Sequence, residues 1–113
     1  MNYNELPVYK ATYDLFLEIF RFTKNFNKEY KYTVGESIKN ETLELIMLIY
    51  RANSKQNRKE TIQDAREKVE VIRLYIRLMK DLQQISIKRF VQVNIQLENV
   101  SKQLTGWKKS RNL

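Results

Sequence analysis

The sequence predicts an all-α protein, one domain over residues 1–113, folded as an up-down-up-down antiparallel four-helix bundle. Three observations predict it. Only two glycines and one proline occur in 113 residues, and a glycine costs a helix interior roughly 1 kcal/mol relative to alanine. Apolar residues recur at three-or-four spacing in four segments, the period of one helix face. Short polar breaks separate those segments, as between antiparallel neighbours. No alternating strand pattern competes, and there are no repeats or low-complexity tracts. Either bundle hand suits this pattern.

The first helix is expected from Pro7 to Phe26. Pro7 suits a first helical turn, where its missing N–H has no partner to lose. One stripe is Val8, Ala11, Leu15, Ile19, Phe22 and Phe26, and a second, aromatic stripe is Tyr9, Tyr13, Phe16 and Phe20. The second helix runs from Val34 to Ala52. Thr33 with Glu36 three residues later has the capping-box pattern, and Gly35 in the first turn suits close approach of a neighbouring segment. Its stripe is Ile38, Thr42, Leu45, Ile49 and Ala52, widened by Leu43, Ile46, Met47 and Tyr50.

Residues 53–58 form a polar connection. The third helix is expected from Lys59 or Glu60 to Leu82, with Ile62, Ala65, Val69, Ile72, Ile76 and Met79 inward and Leu74 and Leu78 outside that stripe. The fourth runs from Ser86, an N-cap residue type, to Trp107. It offers Phe90, Val93, Leu97, Val100, Leu104 and Trp107, with Gly106 releasing the helix near its end.

Composition excludes much chemistry. There is no cysteine and no histidine, which removes disulfides, thiol nucleophiles, imidazole bases and nearly every zinc site. A chain this small without disulfides fits a reducing cytoplasm. No apolar run approaches the roughly 20 residues that span a bilayer, and Met1-Asn-Tyr-Asn-Glu-Leu-Pro lacks the pattern of a signal peptide. Carboxylate pairs such as Glu41 with Glu44, or Glu60, Asp64 and Glu67, have bases at helical spacing, for example Asp64 with Lys68. They read as solvated faces. No enzyme, metal or cofactor is expected.

The net charge is +8. Residues 85–113 hold Lys88, Arg89, Lys102, Lys108, Lys109 and Arg111 against Glu98 alone. Such a bias points to an anionic partner, nucleic acid foremost, or to a solubility surface. Up-down topology brings the start of the first helix, the 53–58 connection and the end of the fourth helix to one end. That end collects Arg51, Lys55, Arg58, Lys59, Lys108, Lys109 and Arg111, opposed by Glu5, Glu60 and Asp64. The opposite end mixes Lys24, Lys28, Lys31, Lys80, Lys88 and Arg89 with Glu29, Glu36 and Asp81, so the sharper cluster is expected at the Gly106 end.

Two further features stand out. Tyr9, Tyr13, Phe16 and Phe20, with Leu43, Met47, Leu74 and Leu78, exceed one buried stripe per helix. They mark a self-association surface, or else thicken the core. Arg73 and Arg77 lie one turn apart in an apolar stretch, with Asp81 four residues beyond Arg77. They read either as rim ion pairs with packed stems or as contacts to phosphate or a protein partner.

Three motifs then converge. Phe26-Asn-Lys-Glu-Tyr-Lys-Tyr-Thr-Val-Gly35-Glu-Ser-Ile resembles the turn between the first two helices of the Avd proteins, accessory variability determinants of diversity-generating retroelements. Val71-Ile-Arg73-Leu-Tyr-Ile-Arg77-Leu-Met-Lys-Asp81-Leu is similar to their third-helix motif of two arginines followed by Asp-Leu. Gln96-Leu-Glu-Asn-Val-Ser-Lys-Gln-Leu-Thr-Gly106-Trp-Lys-Lys resembles their closing Gly-Trp-Lys segment. Thr105, Ser37 and Asn27 depart from the family's usual glycine, basic residue and proline. The resemblance implies a non-enzymatic helper that forms a barrel-like homopentamer, binds DNA and RNA, and associates with a reverse transcriptase during mutagenic retrohoming. It assigns the transcriptase or nucleic-acid contact to Arg73 and Arg77, and structural positions to Gly35, Gly106 and Trp107. The alternative is a structural or protein-interaction module like the four-helix proteins of 23S rRNA intervening sequences, with incidental positive charge.

Overall fold

The computed structural model describes residues 2, 5–54 and 56–109. Four long helices and one short one carry most of them: α1 (Pro7–Thr23), α2 (Lys28–Lys31), α3 (Val34–Ala52), α4 (Arg58–Asp81) and α5 (Ile87–Lys108). No strand occurs among the described residues. α1 and α4 each pack on both α3 and α5, so the long helices follow the order α1–α3–α4–α5 around a four-helix bundle. Neighbours run antiparallel. The Arg89 guanidinium near the start of α5 pairs with Glu18 late in α1. Lys108 at the end of α5 donates to Gln63 early in α4.

Each helix turns its apolar stripe inward. Leu15 and Ile19 of α1, Ile38 and Leu45 of α3, Ile72 and Ile76 of α4, and Val93 and Leu97 of α5 are fully buried. Each such side chain contributes about 1.5–3 kcal/mol relative to exposure. Thr12, Thr23 and Thr42 are buried too, and each hydroxyl donates to the carbonyl four residues back, of Val8, Ile19 and Ile38. Satisfied in this way, they sit in the core without an orphan donor. Between α3 and α4, Lys68 Nζ donates to Glu41 at 2.6 Å and Glu44 at 2.7 Å. Its hydrogen bonds to the Glu41 carboxylate first and the Glu44 carboxylate second raise the lysine above its ordinary 10.5, against the opposing effect of burial.

Several expectations need correction. α1 stops at Thr23, not Phe26; Phe26 nonetheless folds into the core and its ring stacks on Phe22 at 5.9 Å. The polar break that follows contains α2, none of whose four residues is fully buried, although Tyr30 packs against the core. Thr33 does not cap α3. Its hydroxyl reaches back to the Glu29 carbonyl at 2.7 Å because α2 presents that carbonyl to it, and Glu36 pairs with Lys39 instead. Lys68 bridges to α3 rather than pairing with Asp64. Gly106 does not release the last helix, which continues to Lys108.

Other expectations hold. Ser86 accepts from the Arg89 amide at 3.0 Å and caps α5. Gly35 is buried where a Cβ would lie 3.2 Å from the Tyr30 carbonyl oxygen and 3.5 Å from Phe26. The surplus apolar residues are largely exposed: Tyr13, Phe20, Leu43, Met47, Leu74 and Leu78. Tyr9 and Phe16 are half-buried.

Candidate nucleic-acid interface

The site begins with how α3 ends and α4 begins. Asn57 takes a left-handed conformation, φ 56°, and turns the chain into α4. Asparagine tolerates that region better than most residues. The turn places Arg58 under the C-terminus of α3. Its Nε donates to the Ala52 carbonyl at 2.9 Å, and its Nη2 donates to the Asn53 carbonyl at 3.0 Å. Its guanidinium lies 5.8 Å from the centre of the Trp107 ring. Arg58 thus satisfies carbonyls at a helix end while packing on the half-buried tryptophan of α5.

That clamp gathers the cations of three helix ends. Arg51 lies in the last turn of α3, Lys59 in the first turn of α4, and Lys109 at the C-cap of α5. All three are exposed and pair with no described acid. Lys108 donates to the neutral amide of Gln63 at 2.6 Å, a partner that leaves its charge in place. Beside Arg51 a cleft of about 350 Å³ is lined by Asn2, Tyr50, Asn53 and Ser54. The clustered cations can hold phosphate oxygens. Lys55 and Arg111, expected in this cluster, lie outside the described residues.

Arg73 and Arg77 stand apart from that end. Arg73 is fifteen residues beyond Arg58 on α4, about 22 Å at 1.5 Å per residue. It reaches Glu70 at 3.4 Å and Glu98 of α5 at 3.3 Å. Arg77 approaches Asp81 at 3.9 Å, as its spacing predicts, and is exposed. With Glu70, Leu74, Phe90 and Asn94 the two arginines line a groove of about 500 Å³ between α4 and α5. The expected residues therefore form two groups, a basic end and a lateral groove.

A family model described as bAvd-like matches residues 7–111. The chain belongs to the bAvd-like family. The match takes in all four long helices and both groups of basic residues. No curated protein matches the chain. Among the bAvd-like features singled out in the sequence, Gly35 is explained by packing and Trp107 by Arg58. Gly106 is not explained within the chain: it is exposed, and nothing lies within 4 Å of the place its Cβ would occupy.

Sequence reasoning missed an exposed apolar row on α5, outside the residues that line the groove. Ile87, Val91 and Ile95 of α5 are exposed and stand four residues apart. That spacing was visible, but the fully buried stripe of Val93, Leu97, Val100 and Leu104 accounts for the helix by itself.

Proposed function

We propose that this chain is a non-enzymatic, nucleic-acid-binding accessory protein of the Avd type, acting in the cytoplasm beside a reverse transcriptase in mutagenic retrohoming. One observation carries the reading: Arg51, Lys59, Lys108 and Lys109 meet at one end of the bundle around the Arg58 clamp, and none of these four has an acidic partner among the described residues. Cations left uncompensated attract phosphate, and binding of this kind releases counterions and reads little sequence. Family membership supports the accessory role. The lateral groove with Arg73 and Arg77 is the contact for the transcriptase or its nucleic acid.

The working form is a homo-oligomer, a pentamer by family resemblance. Two different apolar surfaces support self-association. Tyr13 and Phe20 of α1 with Leu43 and Met47 of α3 make one; Lys39 of α3 lies 5.0 Å over the Phe20 ring. Leu74 of α4 with Ile87, Val91 and Ile95 of α5 makes the other. The order α1–α3–α4–α5 sets them on opposite sides, which suits head-to-tail contacts that close into a ring.

Fluorescence anisotropy with duplex DNA and structured RNA tests the nucleic-acid claim. Binding at low salt, weakened by Arg51→Gln with Lys59→Gln and Lys109→Gln, is expected; no binding at low salt contradicts it. Co-purification with the reverse transcriptase tests the groove. Arg73→Ala with Arg77→Ala is expected to lose it in a folded oligomer, and undiminished association removes both residues from the site.

A further inference from the structure

The end of the bundle opposite Gly106 carries a second set of cations without acidic partners among the described residues. Three acids there are already engaged: Glu18 by Arg21 and Arg89, Glu36 by Lys39, and Asp81 by Arg77 and Lys80. Lys24, Lys28, Lys31 and Lys88 pair with no described acid, and Glu29 alone remains near them. A hydrogen bond from the Asn27 amide to Gln84 Oε1, 2.8 Å, ties the α1–α2 turn to the α4–α5 connection. It brings the segments holding Lys28 and Lys88 to one surface.

Stability accounts poorly for these charges. Lys28 and Lys31 sit on a four-residue helix with no fully buried residue, anchored to the core by the half-buried Tyr30 rather than by its lysines. Lys88 lies in the first turn of α5, which has no acidic residue, and a cation there opposes the helix dipole. Beside them Tyr32 is 61% exposed, with the Lys31 ammonium 5.7 Å from its ring centre. An open aromatic ring among free lysines is the pairing that stacks a base and neutralises its phosphate.

We propose that this end is a second nucleic-acid backbone site, so that the bundle, 45 Å long, holds two nucleic-acid segments at once. The proposal rests on the nucleic-acid reading of the Gly106 end and extends it from one contact to bridging. Linked weak sites of this kind act together at high effective concentration.

A duplex of about ten base pairs is about 34 Å long at 3.4 Å per pair, too short to reach both ends. Such a duplex is titrated at low salt into the full chain, with anisotropy reporting all binding. Emission of Trp107, the single tryptophan, reports the Gly106 end. Lys24→Gln with Lys28→Gln and Lys88→Gln is expected to halve the saturating stoichiometry and leave the Trp107 response intact. The corresponding triple arginine variant keeps the full stoichiometry. Arg51→Gln with Lys59→Gln and Lys109→Gln is expected to lose the Trp107 response while anisotropy still rises. Wild-type stoichiometry in the Lys24, Lys28 and Lys88 glutamine variant overturns the proposal and leaves the Gly106 end standing. So does complete loss of binding in the Arg51, Lys59 and Lys109 variant. Failure of the wild-type chain to bind removes the reading beneath it, and the proposal with it.

Discussion

Gly35 and Gly106 both lie in helices, yet a methyl group added at each meets different surroundings. At Gly106 nothing lies within 4 Å, so Gly106→Ala is expected to raise stability by about 1 kcal/mol through helix propensity alone. At Gly35 the Tyr30 carbonyl stands 3.2 Å away and Phe26 is packed behind it. A branched side chain has no room there, and Gly35→Val is expected to cost about 1–3 kcal/mol. Urea denaturation of the two variants checks both signs. Gln83 gives a third residue-scale test, because it holds φ 60° without being glycine. Gln83→Gly is expected to raise stability by about 1 kcal/mol by relieving the left-handed conformation; a loss would mean that its side chain makes up the difference. The sequence singled out Gly35 correctly as a close approach. It misjudged Gly106, because helix-ending and helix-interior glycines look alike when the next residues, Trp107 and Lys108, can continue a helix.

Among the elements, the long helices were legible because each buries a continuous stripe, and Leu15, Ile38, Ile72 and Leu97 fall where periodicity put them. α2 was not legible, since four residues without a buried side chain leave no periodic signal. The missing capping box at Thr33 follows from α2, whose Glu29 carbonyl captures the hydroxyl. Arg58 was legible as a basic residue but not as a clamp, because its carbonyl partners come into reach only through the left-handed turn at Asn57. Arg58→Ala is expected to destabilise by about 1.5–3 kcal/mol, the scale of hydrogen bonds to a charged group, and to alter Trp107 emission without ligand. The α3–α4 clasp gives a pH test. Lys68 is raised above 10.5 by Glu41 and Glu44, so its contribution is complete below 10.5 and fades as pH climbs through the higher folded-state value. Denaturation measured from pH 8 upward is expected to show that alkaline decline in the wild-type chain and a shallower one in Lys68→Met.

At the scale of the whole molecule, two unlike apolar surfaces on opposite sides make a prediction about assembly. Phe20→Glu spoils the α1–α3 surface and Leu74→Glu the α4–α5 surface. With head-to-tail contacts each variant alone is expected to be a monomer by light scattering, and an equimolar mixture is expected to form dimers through the two intact surfaces. Contacts between like surfaces would instead leave each variant associated on its own. The cations of the Gly106 end lie off both apolar surfaces, whereas Leu74 belongs both to the α4–α5 surface and to the groove of Arg73 and Arg77. The central claim is that uncompensated cations at the Gly106 end bind nucleic-acid phosphates. Its most direct test is the slope of log affinity against log salt concentration, for duplex DNA bound to the wild-type chain and to Lys59→Gln. Each phosphate neutralised contributes about 0.9 to that slope. A steep slope that falls by about 0.9 in the variant is the predicted result; a slope near zero in the wild-type chain would contradict the account.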